Sequence, residues 1–120
     1  MANTILAGYE MHITDKLELM CDHTGPASYS NVVTNGGTGD VVNALDFQRG
    51  GIEDVAVDAV AASGNFFVVV YAAKMKGGVA VPSVVLRWYN LSQTTGAPTS
   101  EVANGTNLSA ESVRLQLRMV

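Results

Sequence analysis

The residue types best suited to metal binding or nucleophilic chemistry meet at Cys21-Asp22-His23, with His12 a short way before them. Structural zinc sites take four ligands at recognisable spacings, and this chain has one cysteine and two histidines in all. Nothing in the neighbouring sequence would activate Cys21 as a thiolate nucleophile. We therefore predict the end of a strand, with Cys21 buried and His23 in solvent, and neither a metal site nor a catalytic Cys–His pair.

Five carboxylates in the middle of the chain form an acidic stretch that is relieved only by Arg49. Ca²⁺ sites in the loops of β-sandwiches often gather such groups, but the ligand order of an EF-hand is absent. A glycosidase pair would need two of them across a cleft, and a sequence does not give that distance. We expect a solvated acidic face and keep a Ca²⁺ site as the alternative. The five residues are Asp40, Asp46, Glu53, Asp54 and Asp58.

The large aromatic side chains could stack against sugars or anchor a protein interface. Alternation around Trp88 places Leu86 and Trp88 on one face of a strand, opposite Arg87 and Tyr89, so we expect Trp88 in the core. The run Gly36-Gly37-Thr38-Gly39 is followed by neither a helix nor a Gly-Lys-Ser/Thr motif, and it predicts a turn and not a phosphate-binding loop. No set of nucleophile, base and cofactor motif stands out. We predict a protein that is not an enzyme and holds no cofactor.

Periodicity and turn residues divide the chain into short strands. Apolar and polar residues alternate over 113–119, whereas 66–73 lacks polar alternation, which suits a central strand covered on both faces. Residues 52–62 fit helical and strand spacing alike, and the hairpin that Ser63-Gly64-Asn65 would make with the next strand favours a strand. Asn104-Gly105 is the strongest hairpin signal in the chain. The further strand candidates are 16–21, 29–34, 41–47 and 83–91.

These elements describe one all-β domain. A length of 120 residues fits a single domain with its own hydrophobic core. Short strands separated by Gly, Asn, Ser and Thr turns predict a single-domain, jelly-roll-like β-sandwich or barrel over residues 16–120. Residues 1–15, in which Glu10 is the one charge between positions 2 and 13, are expected to form a flexible N-terminal arm or an edge strand.

The charge content excludes several classes of partner. Charged residues make up 15% of the chain, against about 25% in a typical soluble protein. The net charge of −4 argues against binding nucleic acid through its phosphates. No apolar run approaches the ~20 residues of a membrane-spanning helix, so we expect no membrane partner. The N-terminal residues lack the basic and apolar regions of a secretory signal, and we expect synthesis in the cytoplasm.

Five segments together resemble a known class of protein. They are HTGPASY (23–29), GDVVNA (39–44), GGIEDV (50–55), VLRWY (85–89) and EVANGTNLS (101–109). Their pattern of turns and strand starts is similar to that of small structural proteins of tailed bacteriophages, of the kind encoded beside the major capsid protein. The resemblance implies a capsid cement or decoration protein without enzymatic activity. Such a protein lies on the surface of the virion capsid, often as a trimer, and stabilises the shell by bridging neighbouring subunits of the major capsid protein.

A poorly charged surface suits such a role, because charged groups are depleted at the cores of protein interfaces. The residues that we expect at an interface are Ile5, Leu6, Tyr9, Tyr29 and Tyr89. Two alternatives stay open: a head-completion or tail component, and a carbohydrate-binding jelly-roll module. An exposed Trp88 on a concave face, with a neighbouring carboxylate or bound Ca²⁺, would favour sugar binding. A buried Trp88 together with extensive contacts between subunits would favour the capsid.

Overall fold

A computed structural model of the chain describes residues 3–13, 16–72 and 80–120. Within these ranges the chain forms eight strands and one short 3₁₀ turn, η1 (Ala44–Phe47), and the strand pairs are antiparallel. The predicted all-β class is confirmed. No helix in the same ranges is long and apolar enough to cross a membrane. The strands are β1 (Asn3–Ile13), β2 (Lys16–Thr24), β3 (Asp40–Asn43), β4 (Ile52–Val57), β5 (Phe66–Ala72), β6 (Ser83–Leu91), β7 (Pro98–Glu101) and β8 (Ser112–Met119).

The strands divide between two sheets. Sheet I has the order β1-β2-β8-β4, and in sheet II β6 lies between β3 and β5, with β7 paired to the C-terminal part of β6. From β2 to β5 the chain alternates between the sheets. Strands β6 and β8 are then inserted between earlier strands, β6 between β3 and β5, and β8 between β2 and β4. This winding is jelly-roll-like, as the sequence predicts.

The alternation of side chains along the strands creates the core between the sheets. Every second residue of β2 and β8 is buried, and β6 follows the same pattern over most of its length. Leu19 and Leu117 of sheet I join one hydrophobic cluster with Val84, Leu86 and Trp88 of sheet II. Full burial of such a side chain contributes about 1.5–3 kcal/mol, so this cluster is the main stabilising contact between the sheets. The predicted β-sandwich is confirmed.

The N-terminal segment is an edge strand within its described residues, which is one of the two forms expected for residues 1–15. Asn3 to Ile5 pair with the end of β2, and Glu10 to Ile13 pair with its beginning. The register shifts between Ile5 and Glu10, which marks a bulge or irregularity. The edge position ties this segment to sheet I through main-chain hydrogen bonds.

Two expectations about strands near the middle of the chain need correction. Strand β5 lies at the edge of the described part of sheet II and not at its centre, because an apolar run does not reveal which neighbours a strand has. The ambiguous segment 52–62 is a strand over Ile52–Val57, and Val60 adds a single bridge to Phe67. Gly64 turns the chain with a φ of 79°, and the Ala61 amide donates to the Phe66 carbonyl at 3.0 Å beside the Val60–Phe67 bridge. The predicted hairpin therefore forms only over the residues next to this turn, because β4 itself belongs to the other sheet.

The predictions of a hairpin at Asn104-Gly105 and of a strand over residues 29–34 are also wrong. Asn104-Gly105 does form a turn, with Gly105 at a φ of 84°, but it connects β7 of sheet II to β8 of sheet I. The Gly105 amide donates to the Tyr29 carbonyl at 2.8 Å, which holds this turn against residues 29–34. That second segment is a loop and not a strand. Local turn residues predict where the chain bends, whereas tertiary contacts decide which segments it joins.

Candidate functional site

A buried polar cluster connects the two sheets. His23 on β2 and Trp88 on β6 face inward, and Asp40 begins β3 between them. The His23 Nε2 atom lies 2.7 Å from Asp40 Oδ2, and the Trp88 indole N–H donates to the same oxygen at 2.9 Å. The His23 Nδ1 atom lies 2.6 Å from Asn3 Oδ1, which adds β1 to the cluster. Buried polar groups of this kind are retained when they are hydrogen-bonded, so the cluster connects strands across the interior.

This cluster corrects two sequence predictions. His23 was expected in solvent and Asp40 on a solvated acidic face, but both side chains are fully buried. The two groups compensate one another, because each supplies a hydrogen-bonding partner that water would otherwise supply. The signal for His23 was available: Leu17, Leu19 and Cys21 alternate inward along β2, and His23 continues that series. Trp88 is enclosed here and offers no surface on which a sugar could stack.

Cys21 is buried, as predicted. Its burial, reinforced by the charge of Asp22, raises the pKa of the thiol to about 12. A thiol with such a pKa is not a nucleophile near neutral pH. Across the described ranges no three metal-binding side chains come together.

The five acidic residues do not gather into one site. Asp40 is in the core, and Asp46 lies on η1. Glu53 binds the Lys16 ammonium at 2.9 Å. The Ca²⁺ alternative therefore finds no support among the described residues, because no three of these carboxylates come together.

The outer face of sheet I is charged and internally paired. Arg118 on β8 donates to Glu18 on β2 at 2.8 Å, and Arg114 donates to Asp22 at 3.1 Å. These side chains are well exposed, so water screens the attraction. A shallow groove of about 360 Å³ crosses this face, lined by Met20, Ala56, Val57, Asp58, Arg114 and Gln116. None of the described side chains that line it is aromatic, so this part of the face lacks the stacking surface expected of a sugar-binding groove.

The outer face of sheet II has a different character. Residues opposite one another on antiparallel strands share a face, and here most opposed pairs are apolar or aromatic, with one cation among them and one polar pair, Asn43 opposite Ser83. Tyr71, which the bulge in β5 leaves unpaired, is 51% exposed. The other members are partly exposed. They are Val41 opposite Val85, Val69 opposite Arg87, and Phe67 opposite Tyr89.

Arg87 lies at the centre of this face. Its guanidinium carbon is 4.6 Å from the centre of the Tyr71 ring and 5.3 Å from that of Tyr89. Both distances are within the range of cation–π attraction, so both rings contact the guanidinium. Glu101 on β7 is the nearest carboxylate, with Oε2 3.6 Å from Arg87 Nε. We call Tyr71, Arg87 and Tyr89 the arginine stack.

Glu101 binds the loop that follows Tyr29. Its Oε2 atom accepts the Tyr29 hydroxyl at 2.7 Å and the Val32 amide at 2.9 Å, and Oε1 accepts the Val33 amide at 2.8 Å. Burial alone would raise the pKa of this carboxyl, but the three hydrogen bonds and the Arg87 charge together hold it below its ordinary value of 4.5. The carboxylate therefore fixes the loop beside the arginine stack, where Val33 is 62% exposed.

The residues predicted at an interface lie in different environments. Tyr29 is fully buried, with its hydroxyl accepting the Trp88 amide at 3.1 Å, so the expectation that it meets a partner is wrong. Tyr89 belongs to the arginine stack, and Ile5 is exposed on β1. The side chains of Leu6 and Tyr9 lie outside the described residues.

Several members of the outer face of sheet II were missed as interface candidates. Alternation along 83–91 already placed Arg87 beside Tyr89, which is a signal that the sequence offers. Nothing local indicates that Tyr71 joins them across the sheet, or that Glu101 reaches the loop at Val32 and Val33. Those contacts depend on strand register and on the path of a loop.

Comparison with known proteins gives no match: no protein-family model, no curated protein and no solved structure matches the chain. The chemistry of the two outer faces is therefore the basis for a functional interpretation.

Proposed function

We propose that the chain is a structural protein of a tailed-phage virion without enzymatic activity, and that it acts as a capsid cement or decoration protein. It binds the assembled shell of the major capsid protein and stabilises that shell by bridging neighbouring subunits. The observation that carries the proposal is the contrast between the outer faces, one charged and paired, the other apolar and aromatic around a single arginine. The resemblance of five sequence segments to small phage structural proteins supplies the kind of partner.

The outer face of sheet II has the composition of a docking surface. Interface cores are depleted of charged residues and enriched in tyrosine and arginine, and residues of these types carry most of the binding free energy. Covering Phe67, Val69 and Val85 removes apolar surface from water. The outer face of sheet I suits exposure to water, because covering its ion pairs would cost desolvation free energy.

The side chains that could take part in catalysis are bound within the fold, which supports a function without catalysis. His23 and Asp40 bind one another in the core, Cys21 is enclosed, and Glu101 holds a loop. Each of these contacts is made within the chain and stabilises the fold. The chain can therefore be small and stable without a disulfide, which is what a clamp on a shell needs.

A trimer on the capsid surface is part of the proposal. A cement protein bridges neighbouring subunits most effectively where several of its copies meet around a symmetry axis of the shell. We expect sedimentation of the purified chain to give three times the mass of 12.6 kDa. A monomer in solution and on the shell would contradict this part.

The test is binding to purified shells. Shells lacking the chain are mixed with it and sedimented, and we expect stoichiometric recovery with the shells and a higher temperature of shell disruption. Phe67→Ser removes an apolar side chain from the outer face of sheet II and should abolish recovery. Met20→Ser, the matched change on the outer face of sheet I, should leave it intact, with unfolding curves confirming that both variants fold.

Other results would point elsewhere. Recovery with tails or at the portal vertex would favour a head-completion or tail component. Binding to glycans, lost on changing residues of the groove on sheet I and unaffected by Phe67→Ser, would favour the carbohydrate-binding module. Absence of the chain from purified particles by mass spectrometry would contradict all virion roles.

A further inference from the structure

The guanidinium of Arg87 is held in place without using its hydrogen-bond donors. A guanidinium carries five N–H donors. In the described part of the chain none of them makes a hydrogen bond, and Nε is covered with no acceptor in reach. The Tyr71 and Tyr89 rings fix the group through their faces, and ring faces do not occupy the N–H groups in its plane.

Glu101 does not occupy those donors. Its Oε2 is 3.6 Å from Arg87 Nε, beyond hydrogen-bonding distance. Both Glu101 oxygens already accept shorter bonds, from the Tyr29 hydroxyl and from the Val32 and Val33 amides. The carboxylate therefore compensates part of the charge of Arg87 while it leaves the donors available.

We propose that the arginine stack is a binding site for a carboxylate of the partner protein, an aspartate or glutamate side chain flanked by apolar residues. The planar guanidinium matches a carboxylate with two parallel N–H···O bonds, and its contact with both rings means that little freedom is lost on binding. Tyr71 and Val33, both exposed, supply the apolar contacts beside it. This inference rests on the proposed function for the identity of the partner, the capsid subunit.

The charges around the site favour one carboxylate over a phosphate polymer. Arg87 is the single cation among the described strand residues of sheet II, and Glu101 lies next to it. The whole chain carries −4, which repels a polyanion. Because 17% of the Arg87 side chain is exposed while Nε is covered, the carboxylate approaches the guanidinium from its terminal amino end.

The first test uses acetate as the probe and needs no variant. Side-chain N–H resonances of the arginines are followed by NMR while sodium acetate replaces sodium chloride at constant ionic strength. We expect a saturable shift for Arg87 and none for Arg118, whose guanidinium is already bound by Glu18. Equal shifts for the two arginines would overturn the proposal. Saturation by inorganic phosphate at lower concentration than by acetate would overturn the choice of a carboxylate.

The second test separates this inference from the proposed function. Arg87→Lys keeps the charge but loses the planar guanidinium and its two parallel N–H donors. We therefore expect binding to shells to be at least about tenfold weaker. Arg118→Lys is the matched change on the central strand of sheet I and should bind like wild type. If wild type binds shells and Arg87→Lys binds them equally well, the inference is wrong and the proposed function stands. If wild type fails to bind shells while acetate still saturates Arg87, the proposed function is wrong and the carboxylate site stands.

Discussion

Each outer face of the sandwich carries an arginine beside a glutamate, and the two pairs differ in almost every other respect. On sheet I, Arg118 and Glu18 are joined by a 2.8 Å hydrogen bond and are both well exposed. On sheet II, Arg87 and Glu101 are 3.6 Å apart, and only 3% of the Glu101 side chain is exposed. In the shorter pair, each group is the hydrogen-bonding partner of the other. In the longer pair, the glutamate accepts hydrogen bonds from a loop, and the N–H donors of the arginine stay unbonded within the described residues.

The surroundings of an ion pair, and not its length, decide what it contributes to stability. Arg118 is 48% exposed, so replacing Glu18 leaves no buried group without a partner. Glu101 is the acceptor for two backbone amides and a hydroxyl, and no other acceptor in the described structure reaches them. The weaker ion pair by distance is therefore the one that the fold depends on.

The largest expected effect comes from removing the two glutamates in turn. Glu101→Ala leaves the Val32 and Val33 amides and the Tyr29 hydroxyl without their acceptor, and each such group costs about 1–3 kcal/mol when it stays buried. Because the loop is partly open to water, we expect a loss of about 3 kcal/mol in the free energy of unfolding, measured in urea. Glu18→Ala should change it by no more than the experimental error.

Glu101→Gln provides the control for the loss of side-chain packing. It keeps the size of the side chain, but its NH₂ group cannot accept from a backbone amide, so its stability should fall between wild type and Glu101→Ala. Equal stability of Glu101→Ala and Glu18→Ala would mean that the loop is held by other contacts, such as Asn31, whose Nδ2 donates to the Val102 carbonyl at 2.7 Å.

Acid should separate wild type from Glu101→Gln by a smaller amount. The pKa of Glu101 is lower in the folded protein than its ordinary value of 4.5. Its contribution to stability is therefore complete above pH 4.5 and is lost as the pH falls through the lower folded value. In urea unfolding between neutral pH and about pH 3, Glu101→Gln should lose stability with a shallower slope than wild type. Parallel curves for the two proteins would contradict the assignment of a lowered pKa to Glu101.

The same contrast shows how far the sequence predicts the molecule. Period-two alternation is a local property, and it predicted β2, β6 and β8, the burial of Trp88, and the face that Arg87 shares with Tyr89. The two-sheet arrangement also follows from many short strands separated by turns.

Contacts between distant segments could not be predicted. Glu101 is 68 residues from Val33, and its place in the loop depends on β7 pairing with β6. Asp40 looked like one acid among five, and its burial depends on His23 and Trp88 meeting it from two other strands. Polar residues that find buried partners look identical in sequence to polar residues in water, so tertiary structure decides between them.

Exchanging each arginine for lysine should have a smaller effect than the glutamate changes. Arg87→Lys loses the stacking of a planar group against Tyr71 and Tyr89, and contacts of this kind contribute about 0.5–1 kcal/mol where they are partly exposed. We expect a loss of that size in urea unfolding, and no measurable loss for Arg118→Lys. A loss for Arg118→Lys as large as that for Arg87→Lys would show that the rings do not orient the guanidinium.

The smallest expected difference is in how the coupling free energies of the two ion pairs depend on salt. Double-mutant cycles give the coupling free energy of each pair, Arg118 with Glu18 and Arg87 with Glu101. Ions screen exposed charges beyond about 10 Å at 0.1 M salt and about 3 Å at 1 M, but they do not enter a covered contact. The coupling of Arg118 with Glu18 should therefore vanish at high salt, while that of Arg87 with Glu101 should persist because the covered carboxylate keeps its low-dielectric surroundings. If both couplings vanish together, solvent reaches Glu101, and the outer face of sheet II is more open than its burial indicates.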